Sequence, residues 1–348
     1  MNGFERINAA LKGLQPDKTP IMLHNFMMAA REHGVTMEQF RNDPKVIAEC
    51  FISSVDKYGF DGILVDIDTV TLAGAVGVPV DFPVLEAART HHGNLENLED
   101  VFNLKPSKIE NYKYIQIWLE SVRLLKEYYK DELYIRGNCD QSPFSLASMM
   151  RGAQNWMLDL MIGTDDQIEA LLEYCTDATS QFIRLMAQTG CDMVSNGDSV
   201  AGPEMISPEM FVKYALPYEK RIVDEAHKAG LAYTLHICGN TEVILDSMLL
   251  SGADALELDY KTDITKILET FQDKTTLIGN IDPSGVLALG TEDLVRTTTL
   301  ELLTTYKSSN RFILNAGCAI PPTTPSGNLK MMIETARNFK LYNDFKNH

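Results

Sequence analysis

The chain has 348 residues, and its 31 Lys and Arg against 48 Asp and Glu give a formal net charge of −17. An acidic surface of this kind argues against nucleic acid and anionic membranes as partners, because both attract basic patches. The first residues lack the apolar core of a signal peptide, and no apolar run is long enough to span a bilayer. We therefore expect a cytoplasmic protein.

Short runs rich in β-branched residues alternate with amphipathic helical patterns along the chain. The pattern predicts strands at 20–24, 62–67, 133–137, 191–196, 231–236, 253–258, 275–279 and 311–316. It predicts helices at 4–14, 44–58, 107–130, 165–188, 208–228, 241–250, 264–271, 292–308 and 328–342. We expect the first strand to lead into a long loop that holds Met27, Met28 and Arg31. The second should lead into an extended loop region rich in Gly and Pro, from 69 to 103.

Strands that are separated by helices pair in parallel through right-handed crossovers. Eight such units favour a closed β/α barrel over an open doubly wound sheet. The predicted fold is therefore α/β: a single (β/α)8 TIM-type barrel with an N-terminal helix and an extended loop region after the second strand. Nothing interrupts the alternation, so we expect residues 1–348 to form one domain.

Polar residues follow each predicted strand, at the ends that form the site-bearing face of a barrel. Asn25 follows the first strand, Asp66 ends the second, Asp198 follows the fourth and Glu257 lies at the end of the sixth. Asn and Asp also terminate strands and cap helices in places that have no site. Strand ending and helix capping would account for many of these residues, but not for histidine and cysteine at two of the strand ends.

Two strands lead into residues that can bind zinc. The fifth strand ends in His236, and Cys238 lies two residues further on, so both side chains should point the same way. The eighth strand leads into Cys318. Three protein ligands with a free fourth position are typical of catalytic zinc, whereas structural zinc sites use closely spaced cysteine pairs. A buried histidine paired with a carboxylate would explain His236 equally well, so the residues alone leave both possibilities open.

Five segments carry the likeness of a known family: Asp61-Gly-Ile-Leu-Val-Asp-Ile-Asp68, Asp198-Ser-Val-Ala-Gly-Pro203, Ala215-Leu-Pro-Tyr218, Leu277-Ile-Gly-Asn-Ile-Asp-Pro283 and Asn315-Ala-Gly-Cys-Ala-Ile-Pro321. Nearly the whole chain resembles the uroporphyrinogen decarboxylase superfamily. Within it, the chain is most similar to the zinc-dependent corrinoid methyltransferases of the methylcobamide:coenzyme M type. In that branch a His-x-Cys pair and a distant Cys bind zinc, and the resemblance assigns these roles to His236, Cys238 and Cys318.

The resemblance implies an enzyme that moves a methyl group between a corrinoid (cobalamin) protein and a small molecule. The small molecule would be either a thiol acceptor or a methoxy- or methylamine-type donor. The sequence has no D-x-H-x-x-G cobalamin-binding signature, so we expect the corrinoid to arrive on a separate protein. Asn25 and Met27 would then lie at the mouth where the corrinoid binds.

Three carboxylates are candidates for catalytic roles. Asp66 could orient the substrate or the groups around it, although capping of the following segment would explain it nearly as well. Asp198 and Glu257 could each supply a further zinc ligand or a general acid.

Two other functions remain open. One is the cofactor-independent decarboxylation of uroporphyrinogen, for which Asp66 matches the family's catalytic aspartate. Against it, only one of the two arginines that grip the substrate in that branch has a counterpart, Arg31, while the other falls on Met27. The family's late Gly-His-Gly is here Gly317-Cys318-Ala319. The other possibility is a non-catalytic member that binds a corrinoid protein or a small ligand.

Overall fold

A computed structural model of the protein describes residues 1–340. Its strands are β1 (Met22–Leu23), β2 (Gly62–Val65), β3 (Val80–Asp81), β4 (Arg89–Thr90), β5 (Tyr134–Gln141), β6 (Met193–Gly197), β7 (Ala232–Ile237), β8 (Ala255–Leu258), β9 (Thr276–Ile281) and β10 (Phe312–Ala316). β3 and β4 form a separate antiparallel hairpin, and the other eight strands form one parallel sheet in chain order. Ile21 bridges Leu314 and so joins the first strand to the last. The predicted β/α barrel is confirmed.

Helices surround the barrel. They are α1 (Gly3–Leu11), α2 (Phe26–His33), α3 (Met37–Asn42), α4 (Pro44–Tyr58), α5 (Thr71–Ala75), α6 (Lys113–Tyr129), α7 (Pro143–Arg151), α8 (Ala153–Ile162), α9 (Asp165–Ala187), α10 (Pro208–Met210), α11 (Leu216–Lys228), α12 (Leu245–Leu249), α13 (Ile264–Phe271), α14 (Glu292–Thr305) and α15 (Ser326–Asn338). A π-helical turn, Phe211–Ala215, joins α10 to α11. Within residues 1–340, no helix combines the length and the apolar character needed to cross a membrane.

The predicted helices at 44–58 and 264–271 agree with α4 and α13 residue for residue. The helix predicted at 328–342 corresponds to α15, and its last two predicted residues, Leu341 and Tyr342, lie outside the described residues.

The prediction of a long loop after the first strand was wrong. Met27, Met28 and Arg31 lie in α2, whose Met, Ala, Arg and Glu residues are strong helix formers. The helix ends at Gly34, where a φ of 82° places the backbone in the left-handed region that glycine tolerates. The mouth of the barrel beside β1 is therefore walled by a helix.

An apolar layer closes the N-terminal end of the barrel. Inward-facing strand residues pack there against α1, whose first turn is fixed by a capping box at Asn2. The layer consists of Ile7, Ala10, Met22, Tyr134, Met193, Ala255, Ile278 and Ile313. Because these side chains are almost completely buried, the interior is solid at this level, and a cavity can form only nearer the C-terminal mouth.

Asp61 ties the closed sheet to the helices outside it. The side chain is buried, and it accepts hydrogen bonds from Arg6 Nη1 of α1 at 2.5 Å and from Arg337 Nη1 of α15 at 2.9 Å. It also accepts one from the backbone N–H of Ile21, the residue that bridges to the last strand, at 2.9 Å. One carboxylate therefore holds the first strand and two helices in place.

Replacing Asp61 by Asn should lower the free energy of unfolding by about 2–4 kcal/mol, because the arginines lose their buried counter-charge. Urea denaturation measures the loss. The exposed Asp224 of α11 provides the matched control, as Asp224→Asn. Equal losses in the two variants would contradict a role for the Asp61 carboxylate in holding the barrel closed.

Candidate functional site

The three residues predicted to bind a metal meet at the mouth of the barrel. His236 lies near the end of β7, Cys238 directly follows that strand, and Cys318 follows β10. One ligand atom from each residue lies within 4.8 Å of the ligand atoms of the other two. The structure therefore gathers these residues, which are far apart in sequence, into one cluster.

Neighbouring groups orient the cluster. His236 Nδ1 lies 3.0 Å from the backbone carbonyl of Glu257, which can only accept, so Nδ1 carries a proton. This leaves Nε2, which is 3.1 Å from Cys238 Sγ, as the atom that can bind a metal. The hydroxyl of Ser199 lies 3.3 Å from the same sulfur and can donate a hydrogen bond to it.

Without a metal, the pKa values of Cys238, Cys318 and His236 are shifted in different directions. A hydrogen bond from Cys318 lowers the pKa of Cys238 to about 3, with help from His236 and against the effect of burial. The same hydrogen bond, together with burial, raises the pKa of Cys318. Burial lowers the pKa of His236, but the Cys238 thiolate has the larger combined effect and raises it to about 9. The cluster is thus a thiolate between two proton donors, and a metal would displace both protons.

The donor set fits zinc. Two thiolates and an imidazole are ligands that zinc prefers, and ligand atoms of one tetrahedral zinc lie up to about 3.8 Å apart. The separations of up to 4.8 Å found here require only small side-chain adjustments to reach that distance. Three ligands are also the number found where zinc keeps one position for a substrate.

A cavity of about 190 Å³ contains the cluster and reaches down into the barrel. It shares Met27 and Ala87 with an adjoining cavity of about 540 Å³. On the other side it shares Thr69, Gln141 and Ser199 with a cavity of about 370 Å³. The three candidate metal ligands therefore lie in the narrow centre of a wide mouth.

Asp66, one of the predicted catalytic residues, lines this cavity. Its Oδ2 lies 2.6 Å from His24 Nε2, and its Oδ1 accepts hydrogen bonds from Asn138 Nδ2 at 3.1 Å and from the backbone N–H of Ile67 at 2.9 Å. Asp66 therefore fixes the ring of His24 at the cavity wall, and its catalytic role stays a prediction.

Glu257 also lines the cavity, but both of its oxygens are engaged. Oε2 accepts from Arg136 Nη2 at 2.6 Å, and Oε1 accepts from Asn315 Nδ2 at 2.8 Å. Burial acts to raise the pKa of Glu257, but Arg136 and His236 outweigh it and lower the pKa, so the carboxylate stays ionised. A role as general acid or metal ligand remains a prediction, and this ion pair would have to break for it.

Asp198, the third predicted catalytic carboxylate, does not line this cavity. It accepts hydrogen bonds from the backbone N–H and the hydroxyl of Ser145, at 2.9 Å and 2.7 Å, and thereby caps the start of α7. Its other neighbour is Glu219 of α11, which is also fully buried. Burial, and then the charge of Asp198, raise the pKa of Glu219 well above its ordinary value.

The two residues predicted to lie at the mouth where the corrinoid binds, Asn25 and Met27, differ in their position relative to the cavity. Met27 lines the cavity. Asn25 is buried and points away from it, because its Nδ2 donates a hydrogen bond to the Ser54 hydroxyl on α4 at 2.9 Å. The structure therefore brings Met27 to the site and leaves Asn25 outside it.

Sequence reasoning missed one charged side chain that the structure brings into the cavity, Arg136. Ser199 entered only as part of a family segment, Asp198 to Pro203. The signal for Arg136 was a lone positive charge inside the otherwise apolar predicted strand at 133–137.

The sequence matches the family model described as uroporphyrinogen decarboxylase (URO-D) over residues 2–339. The chain belongs to the uroporphyrinogen decarboxylase family.

Known relatives distinguish two branches of that family. The methylcobamide:CoM methyltransferase MtbA of Methanosarcina mazei is 30% identical, over 97% of this chain and 98% of its own length. MtbA of Methanosarcina acetivorans is 29% identical, also over 97% of this chain and 98% of its own length. A uroporphyrinogen decarboxylase of Coxiella burnetii is 24% identical, over 90% of this chain and 87% of its own length. The predicted resemblance to the methyltransferase branch is confirmed, and with it the prediction of a methyltransferase enzyme.

A solved structure of a methyltransferase from Methanosarcina mazei has the same fold. It superposes with a TM-score of 0.88 at 21% identity and covers 97% of this chain and 98% of its own.

The low pKa of Cys238 has a direct chemical consequence. In chelator-treated protein, iodoacetamide should alkylate Cys238 at a nearly constant rate from pH 5 to pH 8, because the sulfur is already a thiolate throughout that range. Peptide mapping by mass spectrometry measures the rate. An ordinary thiol such as glutathione, which slows about tenfold per pH unit, is the control. If the alkylation rate of Cys238 falls with pH in the same way, the assignment of Cys238 as a thiolate between two proton donors is refuted.

The raised pKa of Glu219 should make stability depend on pH. Its pKa is raised in the folded state, so the folded chain binds this proton more tightly, and stability is lost as pH rises above the unfolded-state value. Glu219→Gln keeps a hydrogen-bond donor and removes the titration. The urea midpoint of this variant should therefore fall less between pH 5.5 and pH 8.5 than that of the wild type. Glu169→Gln, at an exposed position of α9, is the control, and a fall equal to that of the wild type in Glu219→Gln would contradict the assignment.

Proposed function

We propose that this protein transfers a methyl group between a corrinoid protein and a small molecule, at a zinc ion held by His236, Cys238 and Cys318. The observation that carries the proposal is the meeting of these three ligand atoms in one cavity at the barrel mouth. The full-length likeness to methylcobamide:CoM methyltransferases supports it. The names of those relatives favour a thiol as the methyl acceptor.

The bound zinc would lower the pKa of a substrate thiol, so that a thiolate is available at neutral pH. The residues of the chain prepare the site for it. The Glu257 carbonyl holds the His236 ring with Nε2 towards the sulfurs, and Ser199 donates to Cys238 and spreads its negative charge. These contacts exist before any substrate enters, so the ligands need little rearrangement.

The walls of the cavity would exclude water from the reacting atoms. Phe26, Met27, Leu64, Ala87 and Ala319 contribute apolar surface around the ligands. A cobalt nucleophile or a leaving methyl group is protected from side reactions when water is excluded. The adjoining cavities on either side widen the mouth, which suits a flat, bulky corrin ring presented by a partner protein.

Metal content and turnover test the proposal together. The purified wild type should hold about one zinc per chain and should use methylcobalamin to methylate a small thiol. Cys238→Ala or Cys318→Ala should lower both zinc content and the rate by at least about a hundredfold, because two ligands bind zinc weakly. Cys50→Ala, which removes a buried cysteine of α4 outside the cluster, should leave both nearly unchanged. Full turnover in zinc-free protein would refute the proposal.

Incubation with uroporphyrinogen separates the proposal from the decarboxylase alternative. The wild type should form no coproporphyrinogen under conditions in which a uroporphyrinogen decarboxylase does. If the wild type forms coproporphyrinogen and the Cys318→Ala variant still does so, the decarboxylase alternative is established.

A further inference from the structure

His24 is held against Asp66 in the cavity that contains the three candidate metal ligands. Its Nε2 lies 2.6 Å from Asp66 Oδ2, and the other oxygen of Asp66 is fixed by hydrogen bonds from Asn138 and from the N–H of Ile67. The side chain of His24 is 14% exposed, and within residues 1–340 its second ring nitrogen, Nδ1, has no hydrogen-bond partner. Nδ1 is therefore available to a molecule in the cavity.

The pairing with Asp66 decides which nitrogen of His24 can accept a proton. A carboxylate only accepts hydrogen bonds, so the neutral ring donates Nε2–H to Asp66 and keeps its lone pair on Nδ1. Asp66 is almost completely buried, and its negative charge would stabilise the ring once Nδ1 had taken up a second proton. A buried aspartate prepares a histidine as a general base in this way.

Backbone hydrogen bonds place His24 beside the segment that carries Cys318. The N–H of His24 donates to Asn315 Oδ1 at 3.3 Å, and its carbonyl accepts from the N–H of Ile320 at 2.8 Å. Asn315 precedes Cys318 and Ile320 follows it on the same segment. The ring of His24 also stacks on that of Phe26, with their centroids 5.8 Å apart. A molecule bound beside the candidate metal ligands would therefore have His24 as a neighbour in a cavity of about 190 Å³.

The carboxyl groups that line this cavity are less suited to take up a proton than His24. Asp66 and Glu257 have both oxygens engaged in hydrogen bonds. Asp140 has one free oxygen, Oδ1, within the described part of the chain. Burial, and then the charge of Asp68, raise the pKa of Asp140 well above its ordinary value, which favours the protonated form of Asp140. His24 has an unengaged lone pair and a carboxylate behind it.

Charged groups surround His24 on three strands. Asp66 of β2 contacts the ring directly. Glu257 of β8 is near enough that the charge of His24 adds to those of Arg136 and His236 in lowering the pKa of Glu257, against the effect of burial. Arg136 of β5 donates to Glu257 at 2.6 Å. A proton on His24 would thus face the charge of Asp66, and a thiolate in the cavity would add a second negative charge to hold it there.

We infer that His24 is the general base that takes the proton from the substrate thiol, and that Asp66 positions it. The S–H bond breaks, its electron pair stays on the sulfur, and the proton forms an N–H bond at Nδ1 of His24. His24 keeps this proton while the sulfur is a thiolate and passes it to solvent once the sulfur has gained a methyl group and lost its charge. The thiol in this inference rests on the proposed function, whereas the pairing of His24 with Asp66 rests on the geometry alone.

Calorimetry can count the proton. Zinc-loaded protein is titrated with 2-mercaptoethanol at pH 7.5 in phosphate and in Tris, which differ in ionisation enthalpy, so the difference in heat gives the number of protons released per thiol bound. The wild type should release less than about half a proton, because His24 keeps it. His24→Gln, whose amide can still donate to Asp66, should release about one. The thioether 2-(methylthio)ethanol, which has no S–H group, is the control and should release none from either protein.

Two further variants separate a base from a structural role. Asp66→Asn keeps an oxygen for Asn138 and Ile67 but can turn an amide N–H towards His24, so that Nδ1 carries the hydrogen and cannot accept. This variant should also release about one proton while retaining its zinc. Nitrogen-15 NMR of the imidazole rings should show the hydrogen of His24 on Nε2 in the wild type and on Nδ1 in Asp66→Asn. Asp140→Asn removes the competing carboxyl group, in a left-handed conformation that Asn tolerates, and should behave as the wild type.

The pH dependence of turnover provides a second measurement. With methylcobalamin as the methyl donor, His24→Gln should methylate 2-mercaptoethanol at least about tenfold more slowly than the wild type at pH 7. The difference should shrink as pH rises, because the solution then takes the proton that His24 would have taken. A deficit that stays constant with pH is the result of a purely structural role and would overturn the inference.

The calorimetric outcomes distinguish failure of this inference from failure of the proposed function. Release of a whole proton by the wild type, or equal release by the wild type and His24→Gln, overturns the role of His24 and leaves the proposed function standing. A rise to about one proton in Asp140→Asn but not in His24→Gln assigns the proton to Asp140 and also overturns it. If the wild type binds no thiol at all, no heat of binding is seen in either buffer, and the proposed function fails together with this inference.

Discussion

The closure of the barrel between Ile21 and Leu314 is the constraint on which the candidate site depends. The strands that carry His236 and Cys318 are separated in the sheet by β8 and β9. In a flat sheet, three strand spacings would hold their ends about 14 Å apart, too far for one metal ion. Closure curves the sheet so that the two ends face one another, and the ligand atoms come within 4.8 Å. The apolar layer at the opposite end keeps the interior solid, so the cavity forms only beside these ligands.

In this acidic protein of net charge −17, two carboxylates that line the cavity, Asp66 and Glu257, have both oxygens engaged in hydrogen bonds. Asp66 is hydrogen-bonded to His24, and Glu257 is paired with Arg136. A buried ion pair such as that of Glu257 and Arg136 adds little to stability, because desolvation offsets the attraction, but it holds both side chains in fixed positions.

The architecture could be predicted from the sequence, because alternation of β-rich and helical segments depends on local pattern alone. The meeting of His236, Cys238 and Cys318 could also be predicted, since His and Cys, unlike Asn and Asp, are not the residues that usually end strands and cap helices. The positions of Asn25 and Asp198 could not be predicted. The same residue at a strand end can face the cavity or cap a helix, and only the packing of the folded chain decides between the two. Helix α2 was missed because its start carries no capping side chain, and α7 and α8 were missed because their largely apolar residues give a weak amphipathic pattern. The family likeness supplied His236, Cys238 and Cys318 as candidate zinc ligands but no role for Arg136.

The position of the cluster in the narrow centre of the mouth has a kinetic consequence. A small molecule bound beside His236, Cys238 and Cys318 would lie beneath any large ring that covers the mouth, and the ring would block its way out. Substrate binding would then follow a compulsory order, with the small molecule first and the large partner second, and release would reverse it. Excess partner protein would slow turnover by trapping the empty enzyme in a covered form, whereas excess small molecule would not.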